Sequence, residues 1–270
     1  MTYRHLKTVA AAGAALVLAG TAMAAPVQIN LKNETATVGS GFGNARLYQV
    51  AFGNGETVNV RATAFSYTSG PYNSGTHTAS QLQEWGGGLG VSNQGEGTNA
   101  PAPAHTLDNN GWTDYVLLHF DRLVSLENVE VGLTTYRQDG EIDADVTLAL
   151  GQVNTGFNQF IDPTTDFPML SSFLDYQTDY WTASTDGSLS NGQYVTQNDF
   201  SFGANQFGNV VMIAGDLLNP NNNLDSFKLK AINVDVFQPM NQVPAPGALA
   251  LMGLGLIGLG RLRQRKRAGA

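Results

Sequence analysis

Between residues 25 and 242 no stretch is both long enough and regular enough at a 3.6-residue period to lay an apolar stripe along a helix. Short runs rich in valine, threonine and aromatic residues alternate instead with clusters of asparagine and glycine, which supply turns. A chain punctuated in this way lacks the helical crossovers of an α/β fold. The expectation is therefore all-β, a single antiparallel β-sandwich of jelly-roll-like form made of two stacked sheets. Its clearest local unit is a hairpin: Arg46 to Phe52 and Glu56 to Phe65 flank Gly53-Asn54-Gly55, where Asn-Gly gives the positive φ of a tight turn. Val58, Val60, Ala62 and Ala64 share one face of its second arm.

Further strands are expected at Val27 to Lys32, Asp114 to Phe120, Leu126 to Leu133, Asp145 to Leu150, Tyr180 to Ser184, Asn209 to Ala214 and Phe227 to Phe237. In the last of these Phe227, Leu229 and Ala231 follow one register and Ile232, Val234 and Val236 the other. The inward face thus switches near Ala231, as a bulge or bend produces. Phe167 to Leu174 suits one short helical turn. Glu84 to Gly90 and the residues up to Leu107 read as surface loop, because little there could form a packed strand.

Charge restricts the partners. All 22 acidic residues lie between Ala25 and Gln242, against seven basic ones there, so this segment of 218 residues carries a net charge of −15. Such a field opposes nucleic-acid phosphates and anionic lipid, and is compatible with cations, neutral glycans or plain solubility. The chain has no cysteine, so stability must come from the core, which a β domain of this length can supply without disulfides.

Catalytic signatures are absent from the sequence. No Gly-x-Ser-x-Gly elbow and no His-Glu-x-x-His pair occurs, and His77, His105 and His119 do not stand at ligand spacing, with His119 alternating among core residues. Gly39 to Gly43 and Gly86 to Gly90 precede no helix and read as turns, not phosphate cradles. The most suggestive run is Asp139-Gly140-Glu141-Ile142-Asp143-Ala144-Asp145. Strand geometry would put its four carboxylates on one face, and a loop could fold them around a hard cation such as Ca²⁺, although the EF-hand spacing is missing. The alternative is a solvated acidic loop, with no cofactor at all. Trp85, Trp112, Tyr115, Tyr180 and Trp181 could form a sugar-stacking platform or simply pack in the core. The expectation is a protein without catalytic activity, the alternatives being a calcium- or glycan-binding adhesin and a secreted polysaccharide hydrolase using two of the carboxylates.

Both ends carry addresses. Arg4, His5 and Lys7 precede an apolar run from Thr8 to Gly20, and Ala22-Met23-Ala24 offers signal peptidase small side chains, so residues 1–24 read as a signal peptide with Ala25 as the mature start. At the other end Val243-Pro244-Ala245-Pro246 precedes Gly247 to Gly260, apolar throughout, and then Arg261, Arg263, Arg265, Lys266 and Arg267. The prolines disfavour helix before the apolar run, and the basic cluster is held in the cytoplasm. From Val243 to Gly260 there are eighteen residues, at the lower edge of the roughly 17–25 that span a bilayer. The expectation is an ectodomain over residues 25–240 and a sorting segment over 241–270 whose transmembrane helix covers 247–260.

This ending resembles the PEP-CTERM sorting signal, in which a Val-Pro-Glu-Pro-like motif, a short transmembrane helix and an arginine-rich end close proteins destined for exosortase. Val243, Pro244 and Pro246 match, while Ala245 stands where the family carries glutamate. The resemblance implies transient anchoring in the inner membrane of a Gram-negative bacterium, cleavage near the Pro-x-Pro element by exosortase, and transfer to the cell surface, extracellular matrix or exopolysaccharide. A plain carboxy-terminal membrane anchor is the alternative. Trp85-Gly86-Gly87-Gly88-Leu89-Gly90, together with the His105-Thr106-Leu107-Asp108-Asn109-Asn110-Gly111 turn before Asp114 to Asp121, also resembles a smaller group of exosortase-dependent surface proteins. That group implies export and sorting and no defined activity.

Overall fold

The computed structural model describes residues 26–52, 55–69, 76–98, 105–133, 146–159, 161, 174–176, 194–197, 207–215 and 224–237. All belong to one compact unit, Met23–Phe237. Among the described residues there is no helix; there are fourteen strands, all in one antiparallel sheet. In chain order these are β1 (Val27–Asn30), β2 (Ala36–Val38), β3 (Ala45–Phe52), β4 (Glu56–Ser69), β5 (Thr76–Ala79), β6 (Gln81–Trp85), β7 (Gly88–Ser92), β8 (Leu107–Asp108), β9 (Thr113–Leu133), β10 (Val146–Gly151), β11 (Leu174–Tyr176), β12 (Tyr194–Gln197), β13 (Gly208–Gly215) and β14 (Ser226–Val236).

The 21-residue β9 is the spine. Its first part, from Thr113 to Phe120, pairs with β4, and Tyr115 to Val124 pair with β13, which continues to β10 and β11. Its second part, from Val124 to Leu133, pairs with β14, while Val129 to Gly132 pair with β12. Beyond β14 lie β1, β8 and the β6–β7 hairpin. The sequence suggests two separate strands, Asp114 to Phe120 and Leu126 to Leu133. They are one because Val124 and Leu123 keep the ladder unbroken, paired to Gly208 and to the Phe237 amide. Because β9 is shared by both parts, the described strands form a single curled sheet, a half-barrel.

Curling brings the inner faces of both parts onto one core. Val58, Val60, Ala62 and Ala64 of β4, Val116, Leu118 and Phe120 of β9, and Val211 and Ile213 of β13 meet Ile29, Leu89, Val131, Phe227, Leu229 and Ile232 from the other part. On the outer face a smaller cluster gathers Phe65, Tyr115, Leu117, Val210 and Met212, with the Phe65 and Tyr115 rings stacked 5.6 Å apart. Residues 114 to 120 are consequently buried on both faces, which accounts for the unbroken apolar run Tyr115-Val116-Leu117-Leu118.

Several expectations hold at residue level. Phe52 pairs with Glu56 across residues 53–55, and Gly55 has φ 88°. β14 shifts register between Leu229 and Ala231, which is the face switch read from its sequence. The loop reading of Glu84 to Gly90 is overturned: the segment is the β6–β7 hairpin, and every residue from Gly88 to Ser92 is buried. Glycine concealed β7, because it contributes no side chain to an alternation pattern. The strand at Tyr180 to Ser184 lies outside the described residues, as does the helical turn from Phe167 up to Leu174, which itself opens β11.

Candidate functional site

The β6–β7 hairpin fits only because two of its glycines, Gly88 and Gly90, have no side chain. A Cβ on Gly90 would lie 1.8 Å from the His105 carbonyl oxygen, and one on Gly88 would lie 2.5 Å from that of Leu229, at φ +134°. Gly87 is 3.2 Å from Lys228 by the same measure. The backbones therefore touch, and the contact carries Trp85 onto His105, ring centroids 3.7 Å apart and planes 23° from parallel. The Lys228 ammonium sits 5.3 Å from the centre of the same indole, and its partial burial lowers its pKa.

Behind this contact lies a buried polar network. Thr106 donates to Asp108 (2.8 Å), the Asn110 amide donates to the other oxygen of Asp108 (3.1 Å), and Ser226 donates to Thr106 (3.0 Å). Asn109 and Asp225 pair reciprocally, side chain to side chain and backbone amide to side-chain oxygen. Asp114, fully buried, receives the Ser66 hydroxyl and the Asn93 side-chain Nδ2 on Oδ1, while its Oδ2 has no partner. Glu96 closes the loop by accepting from the Asn93 backbone N–H at 3.1 Å.

Burial and mutual repulsion favour the protonated form of these carboxyls. Burial, then Glu96, pushes Asp108 up to about 7, and burial, then Asp108, pushes Asp114 well above the usual range. Glu96 is raised by burial. At this corner Asp108 ties the turn together by accepting from Thr106 and the Asn110 backbone. Among the described residues no three His, Cys, Asp or Glu side chains group as metal ligands. His77 bonds the Tyr115 hydroxyl at 3.0 Å; His119, 3% exposed, packs near Phe157 and is lowered to about 4, first by burial and then by Arg61. The structural role expected for His119 agrees with that placement.

On the other side of Trp85, between the Gly39–Gly41 turn and β6, opens a cleft of about 410 Å³. Arg46 crosses it, bonding Glu34 and, at 3.5 Å, Glu84. Burial and a hydrogen bond to Glu34 raise Glu84; burial also opposes ionisation of Glu34, but the bond from Glu84 and the Arg46 charge outweigh it and lower Glu34. Asn44, 6% exposed, donates to the Leu82 carbonyl and accepts from the Leu82 amide, both at 2.8 Å. Its side chain thus imitates a neighbouring strand at the edge of β6, which among the described residues pairs only with β7. Arg46 Nε, Gln81 Oε1, Gln83 Oε1 and Trp85 Nε1, all on residues lining this cleft, are shielded from solvent and without a hydrogen-bond partner. Each such unmade bond costs about 1–3 kcal/mol.

The sites read from the sequence fall largely elsewhere. Asp139, Glu141, Asp143 and Asp145 lie outside the described residues, as do Ala22, Ala24 and the whole of Val243 to Arg267. No helix among the described residues is long and apolar enough to cross a membrane. Of the five candidate stacking aromatics, Trp85 is engaged by His105 and Lys228, Trp112 is half-buried, Tyr115 is core, and Tyr180 and Trp181 lie outside the described residues. Sequence reasoning passed over Asp108 and Asp114, reading one as turn and the other as strand start. Their signal was position: two acids bracketing a short turn, next to a run buried on both faces.

Comparison with known families locates the addressing information. The family description "PEP-CTERM protein-sorting motif" matches residues 242–266. The chain carries a PEP-CTERM sorting motif. That motif covers Val243 to Pro246, the apolar run and Arg261 to Lys266, and it implies export, membrane-associated sorting to the cell surface, and processing by exosortase. No curated protein and no solved structure matches the chain.

Proposed function

We propose that the chain is a non-catalytic, exported surface protein of a Gram-negative bacterium. Signal peptidase removes residues 1–24, the segment from Gly247 to Gly260 holds the chain briefly in the inner membrane, and exosortase cuts beside Pro244 and Pro246. The β domain is then released to the cell surface or its exopolysaccharide matrix. The observation that carries this reading is the sorting motif over residues 242–266. The ectodomain reads as a jelly-roll-like sandwich whose two walls are the two parts of the curled sheet, since both contribute to one core. The absence from the sequence of nucleophile and metalloprotease signatures supports a non-catalytic role.

Mass spectrometry of surface-located protein tests the pathway. The expected mature form starts at Ala25 and ends near Pro246; recovery of the tail intact through Arg267 would refute the cleavage and leave a plain anchor.

A further inference from the structure

We infer that Asn110 is a site of spontaneous covalent modification: its side-chain amide cyclises onto the Gly111 backbone nitrogen, and the ring opens to isoaspartate or aspartate. The inference is independent of the sorting pathway and concerns the turn that joins β8 to β9. Among the described residues Asn110 is the only asparagine that a glycine follows; every other is followed by a residue whose side chain crowds the approach to its nitrogen. Asn110 and Gly111 are both exposed, so water reaches the reacting atoms. The Trp112 amide donates to the Asn110 carbonyl at 2.9 Å across Gly111, whose φ is +77°. A bond closing three residues over a central positive φ is the rarer, strained form of γ-turn. Within it the Gly111 N–H makes no hydrogen bond, so this nitrogen gives up no partner when it attacks. Isoaspartate carries the main chain through one extra methylene and so lengthens a turn that is held too tight.

Water is the sole co-reactant. The Gly111 nitrogen forms a bond to Asn110 Cγ, the Cγ–Nδ2 bond breaks, and the proton of the attacking nitrogen leaves with the amide as ammonia. The product is a succinimide ring. Water then adds to one of its two carbonyl carbons. Breaking the new bond to Cγ leaves aspartate in an unaltered main chain; breaking the original peptide bond leaves isoaspartate with a free α-carboxylate. Either outcome adds a negative charge to the turn that Asp108 anchors through the Asn110 N–H. Asn109 is the built-in comparison. Its side chain is committed at both ends, donating to Asp225 and accepting from the Asp225 N–H, and the residue after it is Asn110.

Peptide mapping by mass spectrometry provides the test, on the purified full-length chain in detergent held for several weeks in heavy-oxygen water at mildly alkaline pH. A parallel sample in urea controls for the chemistry of the unfolded chain. The native protein is expected to take up heavy oxygen at position 110, with isoaspartate identified there by electron-transfer fragmentation, while Asn109 stays unlabelled. Asn110→Gln, whose closure would need a less favourable six-membered ring, should lose the label at this position. Label in urea but not in the native protein would show that the folded turn blocks closure, and overturns the proposal. No label in either sample, equal labelling of Asn109, or label persisting in the Asn110→Gln variant does the same. Aspartate without isoaspartate would mean direct hydrolysis of the side-chain amide, and would refute the ring. The assay is independent of tail processing, so a failure here leaves the sorting pathway standing, and the reverse.

Discussion

Gly90→Ala provides the sharpest test of how the Trp-Gly-Gly-Gly-Leu-Gly segment works. A methyl group there would sit 1.8 Å from the His105 carbonyl oxygen and 2.8 Å from its carbon, where ordinary contact begins at 3.4 Å. One backbone must therefore retreat by about 1.6 Å, the difference between those two distances. Neither side can yield freely. β7 is fixed to β6 by five residue pairs and its residues are buried, and His105 is locked against Trp85. Overpacking a well-ordered interior costs typically 1–3 kcal/mol, and a backbone-on-backbone clash belongs at the top of that range, about 3 kcal/mol. For a domain of this size that lowers the melting temperature by about 6–12 °C. Thermal and urea unfolding of the full-length protein would measure it, with two neighbours as internal controls. Gly86→Ala meets nothing within 4 Å and should change stability by less than about 0.5 kcal/mol. Gly87→Ala meets only the flexible Lys228 side chain at 3.2 Å and should fall between the two. Equal stability for the Gly90 and Gly86 variants would show that close backbone approach is not what requires glycine.

Other expectations follow from the polar interior. Asp108 and Asp114 keep protons in the folded state that the unfolded chain gives up near pH 4, so their contribution favours folding most below about pH 4 and is lost as pH rises towards about 7. Asp108→Asn with Asp114→Asn should flatten the slope of stability against pH in that window, and an unchanged slope would contradict the buried-acid assignment. His119 has the opposite sign: its pKa is depressed to about 4, so its contribution is complete above about pH 6.5 and lost as pH falls towards 4. Nuclear magnetic resonance should find its ring neutral down to about pH 5; titration near 6.5 would refute this. Asn44→Ala removes two bonds to Leu82 and should cost about 2–4 kcal/mol, whereas Asn44→Asp, which keeps one acceptor, should cost less at low pH than at neutral pH. Pro244→Ala with Pro246→Ala should leave the tail on protein recovered from membranes; normal trimming would place the cleavage determinant elsewhere.

What could be read in advance depended on how each residue expresses its surroundings. Val58, Val60, Ala62 and Ala64 announce a half-buried strand because alternation is a direct image of a sheet with one wet and one dry face. The face switch in β14 was equally visible, since Ile232 breaks the phase of Phe227 and Leu229, and one extra residue in a ladder can do nothing else. β7 expresses the opposite case. Its neighbours approach so closely that side chains are excluded, and a strand made of Gly88, Leu89 and Gly90 resembles a loop to any reading based on apolar periodicity.

The candidate site escaped for a related reason. Arg46, Gln81, Gln83 and Trp85 are polar or amphipathic residues on ordinary strands, separated by as much as 39 positions, and nothing in their spacing says that β3 and the edge of β6 face one cleft. The acids divide likewise. Asp139 to Asp145 drew attention because four carboxylates crowd within seven residues, yet crowding in sequence is as compatible with solvation as with function. Asp108 and Asp114 are dispersed and look ordinary, but the turn between β8 and β9 carries both below the surface, where among the described residues no lysine or arginine pairs with them and burial favours the protonated carboxyl. A buried acid is therefore a property of topology, and it becomes visible only once β9 is seen to be covered on both faces. The same topology explains why His105 and Asp108 occur three residues apart beside a glycine-rich hairpin: the first closes the contact that the glycines permit, and the second anchors the turn that delivers it.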